Sequence, residues 1–356
     1  MKKISNLEFS SLIIIIMISM YSGININILK SYNDINGWLT IIISNIIGII
    51  PILLYLYISK FKEELELSKK INFLFKKTGK YLNLFLILIL INFEVVLLYN
   101  SNNFIISQLL YRTPALMINI IIMSLAIYHN SKGINSITRV SFLLLIFNIT
   151  LFLISFLSLS TNIKIDNFLP VFKNEHILLT SLKIASINTL PIIITLVIPK
   201  NNIENSSHFN KFIISSYLIS SLISSIVVLT TYGVMGTNLI KIYEYPEYIV
   251  LKKVKIFDFL ERIENIIANN WIIGNYIYIT LIMYYMNKSI DKYNKNTINI
   301  FNGIIVILLS TLIFKNNTIF HTYIAKIFPY SAMLLFIIYI IISIKIFYIE
   351  KKQNMI

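Results

Sequence analysis

Long apolar stretches alternate with short polar ones along the entire chain. An α-helix needs about 20 apolar residues to cross roughly 30 Å of hydrocarbon, and most of these stretches reach that length. Helix 4 is the shortest, because Pro114 and the polar run HNSKG bound it, and without it every later helix would be inverted. The pattern predicts ten membrane-spanning helices, helix 1 to helix 10, over residues 8–29, 37–59, 81–110, 114–128, 138–160, 177–199, 211–236, 258–286, 297–314 and 324–348.

The composition is that of a protein whose main solvent is the lipid bilayer. The chain is 56% hydrophobic and 13% charged, and its mean hydropathy is +0.76. We therefore expect one all-α, multi-pass membrane domain over residues 1–356, in contact with lipid on its outer surface. Two lysines precede the first apolar run and no small-residue cleavage site follows it, which predicts a retained first helix.

The net charge of +15 is explained better by membrane topology than by nucleic-acid binding. The lysines fall in short loops between apolar runs and not on one folded face. Basic residues accumulate in cytoplasmic loops, and their distribution over ten helices predicts that both termini are cytoplasmic. The loop after helix 7, with Lys252, Lys253 and Lys255, departs from this rule.

Ten helices divide into two sets of five. Because five is odd, a second set with the same fold must enter the membrane upside down relative to the first, as in transporters with inverted repeats. The first repeat would cover about 8–160 and the second about 177–348. In such folds the first helix of each repeat is broken near mid-membrane, which exposes backbone groups to a bound solute.

Both halves contain a candidate break at the expected place. The run ISMYSGININ puts Ser22 and Gly23 in helix 1, and the run ASINTLPIII puts Asn188, Thr189 and Pro191 in helix 6. Proline has no N–H and clashes with the preceding turn, so it frees carbonyl groups for a ligand. The alternative is an ordinary kink or a closely packed glycine, both common in membrane helices.

Ionisable residues inside the predicted helices are further candidates. Glu94 lies among apolar residues of helix 3, where a carboxyl group faces a cavity or a partner unless the helix is shifted toward an interface or burial keeps the carboxyl group protonated. Helix 8 opens with Asp258, Glu261, Arg262 and Glu264, spaced three and four residues apart on adjoining faces. This cluster predicts either an ion-paired helix N-terminus or an extracellular gate or partner contact.

The segment between helices 7 and 8 mixes aromatic and basic residues. Tyr243, Tyr245 and Tyr248 precede Lys252 and Lys253, a pattern typical of an amphipathic stretch at the membrane surface. The segment is either an interfacial loop or a lid over the site.

No pattern in the chain indicates catalysis. There is no Cys, the four histidines lie far apart without metal-ligand spacing, and no phosphate-binding loop is present. We therefore expect a binding or transport protein with no enzymatic activity, no catalytic residue, no cofactor and no metal.

The chain resembles a known family over nearly its full length. The strings are NGWLTIII at 36–43, LLYRTP at 109–114, SKGINSITRVS at 131–141, IDNFLPVF at 165–172 and FDFLERIENIIANNWII at 257–273. They resemble the B subunits of spore germinant receptors, which are spore germination permeases within the amino acid–polyamine–organocation superfamily. The helix 8 string is the most specific of the five.

This resemblance implies a LeuT-like fold of ten helices, residence in the inner spore membrane, and assembly with A and C subunits. It also implies recognition of a small germinant, often an amino acid. Superfamily members bind solute at the breaks of helices 1 and 6, which coincide here with Ser22, Gly23, Ile24, Asn188, Thr189 and Pro191.

The chain departs from the family pattern at both breaks. Family members usually carry a Gly-rich break in helix 1 and a Gly followed by Glu in helix 6, whereas this chain has a single Gly23 and two isoleucines after Pro191. A site without that carboxylate is less suited to pairing with a ligand amine. Three functions follow as hypotheses: a germinant-sensing receptor subunit, an amino-acid or ion-coupled permease of the same fold, and a membrane scaffold with a vestigial pocket.

Overall fold

The computed structural model describes residues 3–32, 36–171, 176–253, 263–290 and 294–353. Within these ranges the chain is helical, and the only β-type pairing is an isolated bridge between Ile4 and Ile203. The long apolar helices make it a multi-pass membrane protein.

Each of the ten predicted helices has a counterpart in the described residues. Eight of the observed segments are long and apolar enough to span a membrane; of the other two, Ala115–Ser131, at helix 4, is a shorter apolar helix, and Ile263–Ser289, at helix 8, is not among the eight. The observed bounds are Asn6–Ile18 and Ile26–Ser31 (helix 1), Gly37–Ile47 and Ile49–Lys60 (helix 2), Gly79–Phe104 (helix 3), Ala115–Ser131 (helix 4), Ile134–Ser160 (helix 5), Ile177–Thr189 (helix 6), Phe209–Ile242 (helix 7), Ile263–Ser289 (helix 8), Lys295–Ile313 (helix 9), and Asn317–Lys326 and Phe328–Gln353 (helix 10).

Two shorter α-helices join these elements. Leu67–Phe75 lies between helices 2 and 3, and Pro246–Leu251, here called the cap helix, lies between helices 7 and 8. Helix 3 is extended by a π-helical turn at Ile105–Leu109, and helix 6 by a 3₁₀ segment at Leu190–Val197. The predicted start of helix 8, at residue 258, lies outside the described residues.

Helix 1 is the core of the bundle. Its most apolar 18-residue window is 94% buried, against 17% for helix 5, so helix 1 is enclosed by protein while helix 5 lies at the periphery. Helix 1 packs against helices 5, 6, 7 and 8. The peripheral helices expose large apolar side chains such as Leu143, Leu157 and Phe301, as expected where the solvent is hydrocarbon.

Backbone hydrogen bonds close one end of the bundle. Ile4 donates to the Asn202 carbonyl at 2.9 Å and accepts from the Glu204 N–H at 2.9 Å, which ties the start of helix 1 to the segment after helix 6. Lys200 extends the link to the end of helix 2, because its N–H donates to the Glu63 carbonyl at 2.9 Å. The start of helix 1 and the end of helix 6 are therefore held together.

Candidate functional site at the two helix breaks

Helix 1 is broken at the glycine that the sequence indicates. Its first α-helical segment ends at Ile18, and a π-helical turn over Tyr21–Asn25 precedes the second segment. Gly23 has a φ of 74°, in the left-handed region that residues with a Cβ rarely adopt. Its N–H leaves the helical ladder and donates to Oε1 of Glu247 at 2.5 Å. The break thus exposes a backbone donor to the cap helix.

Helix 6 is broken at its proline. The α-helix ends at Thr189, two residues before Pro191, and continues as a 3₁₀ segment. The Leu190 carbonyl, freed from the α-helical pattern, accepts from the Tyr339 hydroxyl of helix 10 at 3.0 Å. The Thr189 hydroxyl donates back to Ala185 at 2.6 Å, so that side chain is used within its own helix.

The two breaks meet through a pair of amides. Asn25 Nδ2 of helix 1 donates to Asn188 Oδ1 of helix 6 at 3.1 Å. Both side chains are buried, and the remaining atoms, Asn25 Oδ1 and Asn188 Nδ2, make no hydrogen bond within the described residues. A buried donor and a buried acceptor without partners carry a desolvation cost, which a ligand with one acceptor and one donor would remove.

The residues predicted from the sequence contribute unequally to this arrangement. Gly23 and Asn188 take part directly, whereas Ile24 and Pro191 are buried and apolar and shape the breaks without offering a polar side chain. Ser22 lies in the π-helical turn, and its side chain is outside the described part of the structure. The binding role of these residues remains a prediction.

Two residues at the breaks were missed by the sequence analysis. Asparagine is abundant in this chain, so a single asparagine inside a helix is a weak indication of a functional site. The position of Asn25, two residues after Gly23, is the one feature of the sequence that indicates its role. Glu247 lies in the segment that was interpreted as an interfacial loop or a lid. Its sequence signal is weak: an acidic residue directly after Pro246, inside an otherwise aromatic run.

Glu94 is paired across the bundle and not at either break. It is fully buried in helix 3, and its Oε2 accepts from Asn302 Nδ2 of helix 9 at 2.8 Å, while Oε1 makes no hydrogen bond within the described residues. Glu94 therefore has a partner in helix 9. Its depth in the membrane and its role as an intramembrane charge or gate stay predictions.

The acidic cluster predicted at the start of helix 8 is only partly described. Asp258, Glu261 and Arg262 lie outside the described residues. Glu264 lies in the first turn of the observed helix 8 and is partly exposed. Both interpretations of the cluster, a capped helix N-terminus and a gate or partner contact, therefore stay predictions.

The cap helix and the residues before it cover the break of helix 1. Tyr245 and Tyr248 are buried, and both rings contact Phe104 edge-on with centroids 5.0 and 5.1 Å away. Trp271 of helix 8 contacts the same phenylalanine, and its Nε1 donates to the Ser19 carbonyl at the end of the first segment of helix 1. This burial favours a lid over an interfacial loop.

Glu244, which precedes the cap helix, links this segment to helices 3 and 10. Asn103 of helix 3 donates to Glu244 Oε1 at 2.6 Å, and His321 Nε2 of helix 10 lies 3.1 Å from the same oxygen. Burial alone would raise the pKa of Glu244, but these two contacts and the charges of His321 and Lys30 outweigh it and hold the pKa below its usual range. Glu244 is therefore an ionised link between helices 3 and 10.

A buried lysine lies in helix 6, between its start and its break. Lys183 donates to the Tyr32 hydroxyl, and its Nζ lies 4.4 Å from the Tyr32 ring centroid and 4.8 Å from that of Tyr330. These cation–π contacts join helices 1, 6 and 10. With the cap helix, they close the breaks on the side opposite the Ile4–Ile203 bridge.

This architecture is that of a helical membrane protein with two broken helices whose polar groups meet in a closed interior. The chain belongs to the Spore_permease family, described as "Spore germination protein", whose model matches residues 3–320. It is therefore a germination-related membrane protein. It is also similar to YfkT of Bacillus subtilis (strain 168), a protein named for spore germination, with 30% identity over 162 residues. That match covers 45% of this chain and 44% of YfkT, so the chain aligns with less than half the length of this relative.

Proposed function

We propose that the chain is the membrane subunit of a spore germinant receptor and recognises a small germinant where the breaks of helices 1 and 6 meet. The supporting observation is the amide pair Asn25–Asn188, which joins the two breaks at 3.1 Å and keeps a buried donor and a buried acceptor without partners. Family membership supports a role in germination. A LeuT-like arrangement of two inverted five-helix repeats is part of the same proposal.

The germinant in this proposal carries a hydrogen-bond acceptor and a donor close together, as an amino acid or its amide does. The ligand acceptor binds Asn188 Nδ2 and the ligand donor binds Asn25 Oδ1, each replacing a missing hydrogen bond. Because no acidic side chain follows Pro191, neutral hydrogen bonding and not a charge pair provides recognition at this position.

Binding at the amide pair acts on the packing of helix 1 against helix 6. The structure has both ends of this junction closed, by the Ile4–Ile203 bridge on one side and by Lys183 and the cap helix on the other. A ligand that binds a second packing state more tightly shifts the population toward it. In our proposal that change passes to A and C receptor subunits in the inner spore membrane, with both termini cytoplasmic.

Asn188→Leu tests this proposal in spores. Germination is scored by loss of refractility over a panel of amino acids, nucleosides and sugars, in strains that accumulate the variant at the parental level. We expect the half-maximal concentration of one germinant to rise about tenfold or more, because one hydrogen bond to the ligand is worth roughly 0.5–1.5 kcal/mol and an unsatisfied ligand group adds to that loss. Pro191→Ala should shift the response to the same germinant by restoring the α-helical N–H.

Asn130→Leu is the matched control. Asn130 Nδ2 of helix 4 donates to Asn299 Oδ1 of helix 9 at 2.9 Å, so the control removes a buried amide pair of the same chemistry away from the breaks. It should leave all germinant responses at the parental level. If Asn188→Leu behaves like Asn130→Leu, the amide pair is not the germinant site. Solute uptake into proteoliposomes by the purified chain alone would instead favour the permease, and an unchanged response with loss of complex assembly would favour the scaffold.

A further inference from the structure

A second polar group is available next to helix 1, apart from the amide pair. Helices 1, 3, 5, 7 and 8 and the cap helix line a partly open cavity of about 160 Å³, whose wall includes Glu247 but neither Asn25 nor Asn188. Glu247 is 8% exposed; its Oε1 accepts from Gly23, while Oε2 makes no hydrogen bond within the described residues. A buried carboxylate oxygen without a donor is costly, and a donor from a ligand would offset that cost.

Apart from Asn148 of helix 5, whose side chain is partly exposed, the rest of the cavity wall is apolar or already hydrogen-bonded. Its serine and threonine hydroxyl groups are used within their own helices: Ser155 donates to Leu151 at 2.7 Å and Thr231 donates to Val227 at 2.7 Å. The Lys30 ammonium, whose positive charge acts on Glu247, donates to the Tyr243 carbonyl at 2.5 Å. Among the described wall residues, Glu247 is therefore the one carboxylate, and it is buried with one oxygen available to a donor.

The size and surface of the cavity define the remainder of its ligand. An engineered cavity of about 150 Å³ holds a benzene molecule, so this cavity fits one compact branched or aromatic group. The rings of Phe104, Tyr248 and Trp271 line it next to Glu247, and aromatic faces attract an ammonium group. Apolar walls with one buried acceptor and adjacent rings fit an amphipathic cation.

We propose that this cavity binds a small primary amine with a compact apolar body, whose ammonium group donates to Oε2 of Glu247. The site is separate from the Asn25–Asn188 pair and does not depend on the proposed function. Because Oε1 of the same carboxylate holds the Gly23 N–H, an occupied cavity also fixes the break of helix 1.

The direct test is binding to the purified full chain in phosphatidylcholine nanodiscs, with empty nanodiscs as the reference for partitioning into lipid. The probe is 3-methylbutylamine and its neutral match is 3-methylbutan-1-ol, measured by saturation-transfer NMR and calorimetry. We expect the amine to bind at least tenfold more tightly than the alcohol, because charge-assisted hydrogen bonds are roughly twice as strong as neutral ones. Equal binding of the two probes, or binding of neither, overturns the proposal.

Three variants separate the carboxylate from the cavity shape. Glu247→Gln keeps an acceptor for Gly23 and should lower amine affinity about tenfold without changing alcohol affinity. Ser155→Phe fills the cavity from helix 5 and should abolish binding of both probes, while Leu157→Phe, on the face of helix 5 where Leu157 is 68% exposed, should change neither. Thermal unfolding of each variant establishes that it is folded. A folded Glu247→Gln that binds the amine as the parent does contradicts the role of the carboxylate.

The pH dependence of amine binding provides a further prediction. Burial raises the pKa of Glu247 to about 7, against the opposing effects of its backbone hydrogen bonds and the Lys30 charge. Tyr21, Tyr245 and Tyr248 are the other ionisable groups around it, and the described walls from helices 5, 7 and 8 carry none. Between pH 6 and pH 8 the ionised fraction rises from about one tenth to nine tenths, so amine affinity should rise roughly tenfold. Glu247→Gln should remove this dependence; a parent whose affinity stays flat over this range contradicts the proposal.

Discussion

Gly23→Ala is expected to destabilise the protein by roughly 2–5 kcal/mol, the largest single effect that the described structure predicts for the break of helix 1. Two costs add. A residue with a Cβ loses about 1–2 kcal/mol in the left-handed conformation, and Gly23 has a φ of 74°. A Cβ at this position would also lie 2.5 Å from Asn100 Oδ1 and 2.9 Å from Tyr245 Cε1. Helix 3 or the segment that contains Tyr245 must therefore move, at a further cost of about 1–3 kcal/mol.

Two other glycines separate these costs. Gly133 has a φ of 82° with nothing within 4 Å of an added Cβ. Gly133→Ala should therefore be destabilised by the backbone conformation alone, without a steric contribution. Gly274 is helical, and its added Cβ would meet Ile15 at 3.7 Å, an ordinary contact, so Gly274→Ala should be close to neutral. Thermal unfolding of the three purified variants should rank Gly23→Ala below Gly133→Ala and Gly133→Ala below Gly274→Ala. If Gly23→Ala unfolds at the same temperature as Gly133→Ala, the break of helix 1 is not closely packed against helix 3 and Tyr245.

The same glycine shows how far the sequence determines this fold. The helix positions follow from the length and spacing of the apolar stretches, because a membrane helix must satisfy its own backbone and present apolar side chains to lipid. The breaks follow from local chemistry as well: Gly23 tolerates a positive φ, and Pro191 cannot continue the α-helical hydrogen bonds. Both signals act within one turn of helix and are visible in the sequence alone.

The contacts that complete the site are not local and were missed for that reason. Gly23 and Glu247 are 224 residues apart in the chain, and Asn25 and Asn188 are 163 apart. Which of several asparagines meets a partner depends on how the helix faces pack, and hydropathy carries no information about the direction of a polar side chain inside a bundle. The absence of an acidic residue after Pro191 is visible in the sequence, whereas the contact between Glu247 and Gly23 is not.

The turn conformations within the helices were equally hidden. Polar residues mark the turns at Tyr21–Asn25 and Ile105–Leu109, but the sequence does not predict that these turns are π-helical, because a π-helical turn changes the hydrogen-bond register by one residue without requiring particular residue types. Gly236 interrupts helix 7 with a φ of 69° at the residue where the sequence predicts the end of this helix, and the helix continues beyond it to Ile242.

Asn302→Leu is expected to destabilise the protein by roughly 1.5–3 kcal/mol, because it removes the amide that donates to the fully buried Glu94 carboxyl group. Adding a second substitution, Glu94→Leu, should change the stability in the opposite direction. The double variant Glu94→Leu with Asn302→Leu should be more stable than Asn302→Leu alone, since an apolar pair leaves no unsatisfied polar group between helices 3 and 9. Urea-dependent or thermal unfolding of the parent, both single variants and the double variant gives the interaction energy as a double-mutant cycle.

The neutral amide pair between helices 4 and 9 is the control for this cycle. Asn130 and Asn299 are buried and hydrogen-bonded at 2.9 Å, as Glu94 and Asn302 are at 2.8 Å, so the two cycles differ mainly in the presence of a carboxyl group. The comparison reports the state of the carboxyl group: an ionised Glu94 gives a larger interaction energy than the amide pair, because charge-assisted hydrogen bonds are stronger, and a protonated Glu94 gives a similar one. If instead the double variant lacking Glu94 and Asn302 is less stable than Asn302→Leu, then Glu94 has a further stabilising partner besides Asn302, and the contact with helix 9 does not explain why a carboxyl group is retained in helix 3.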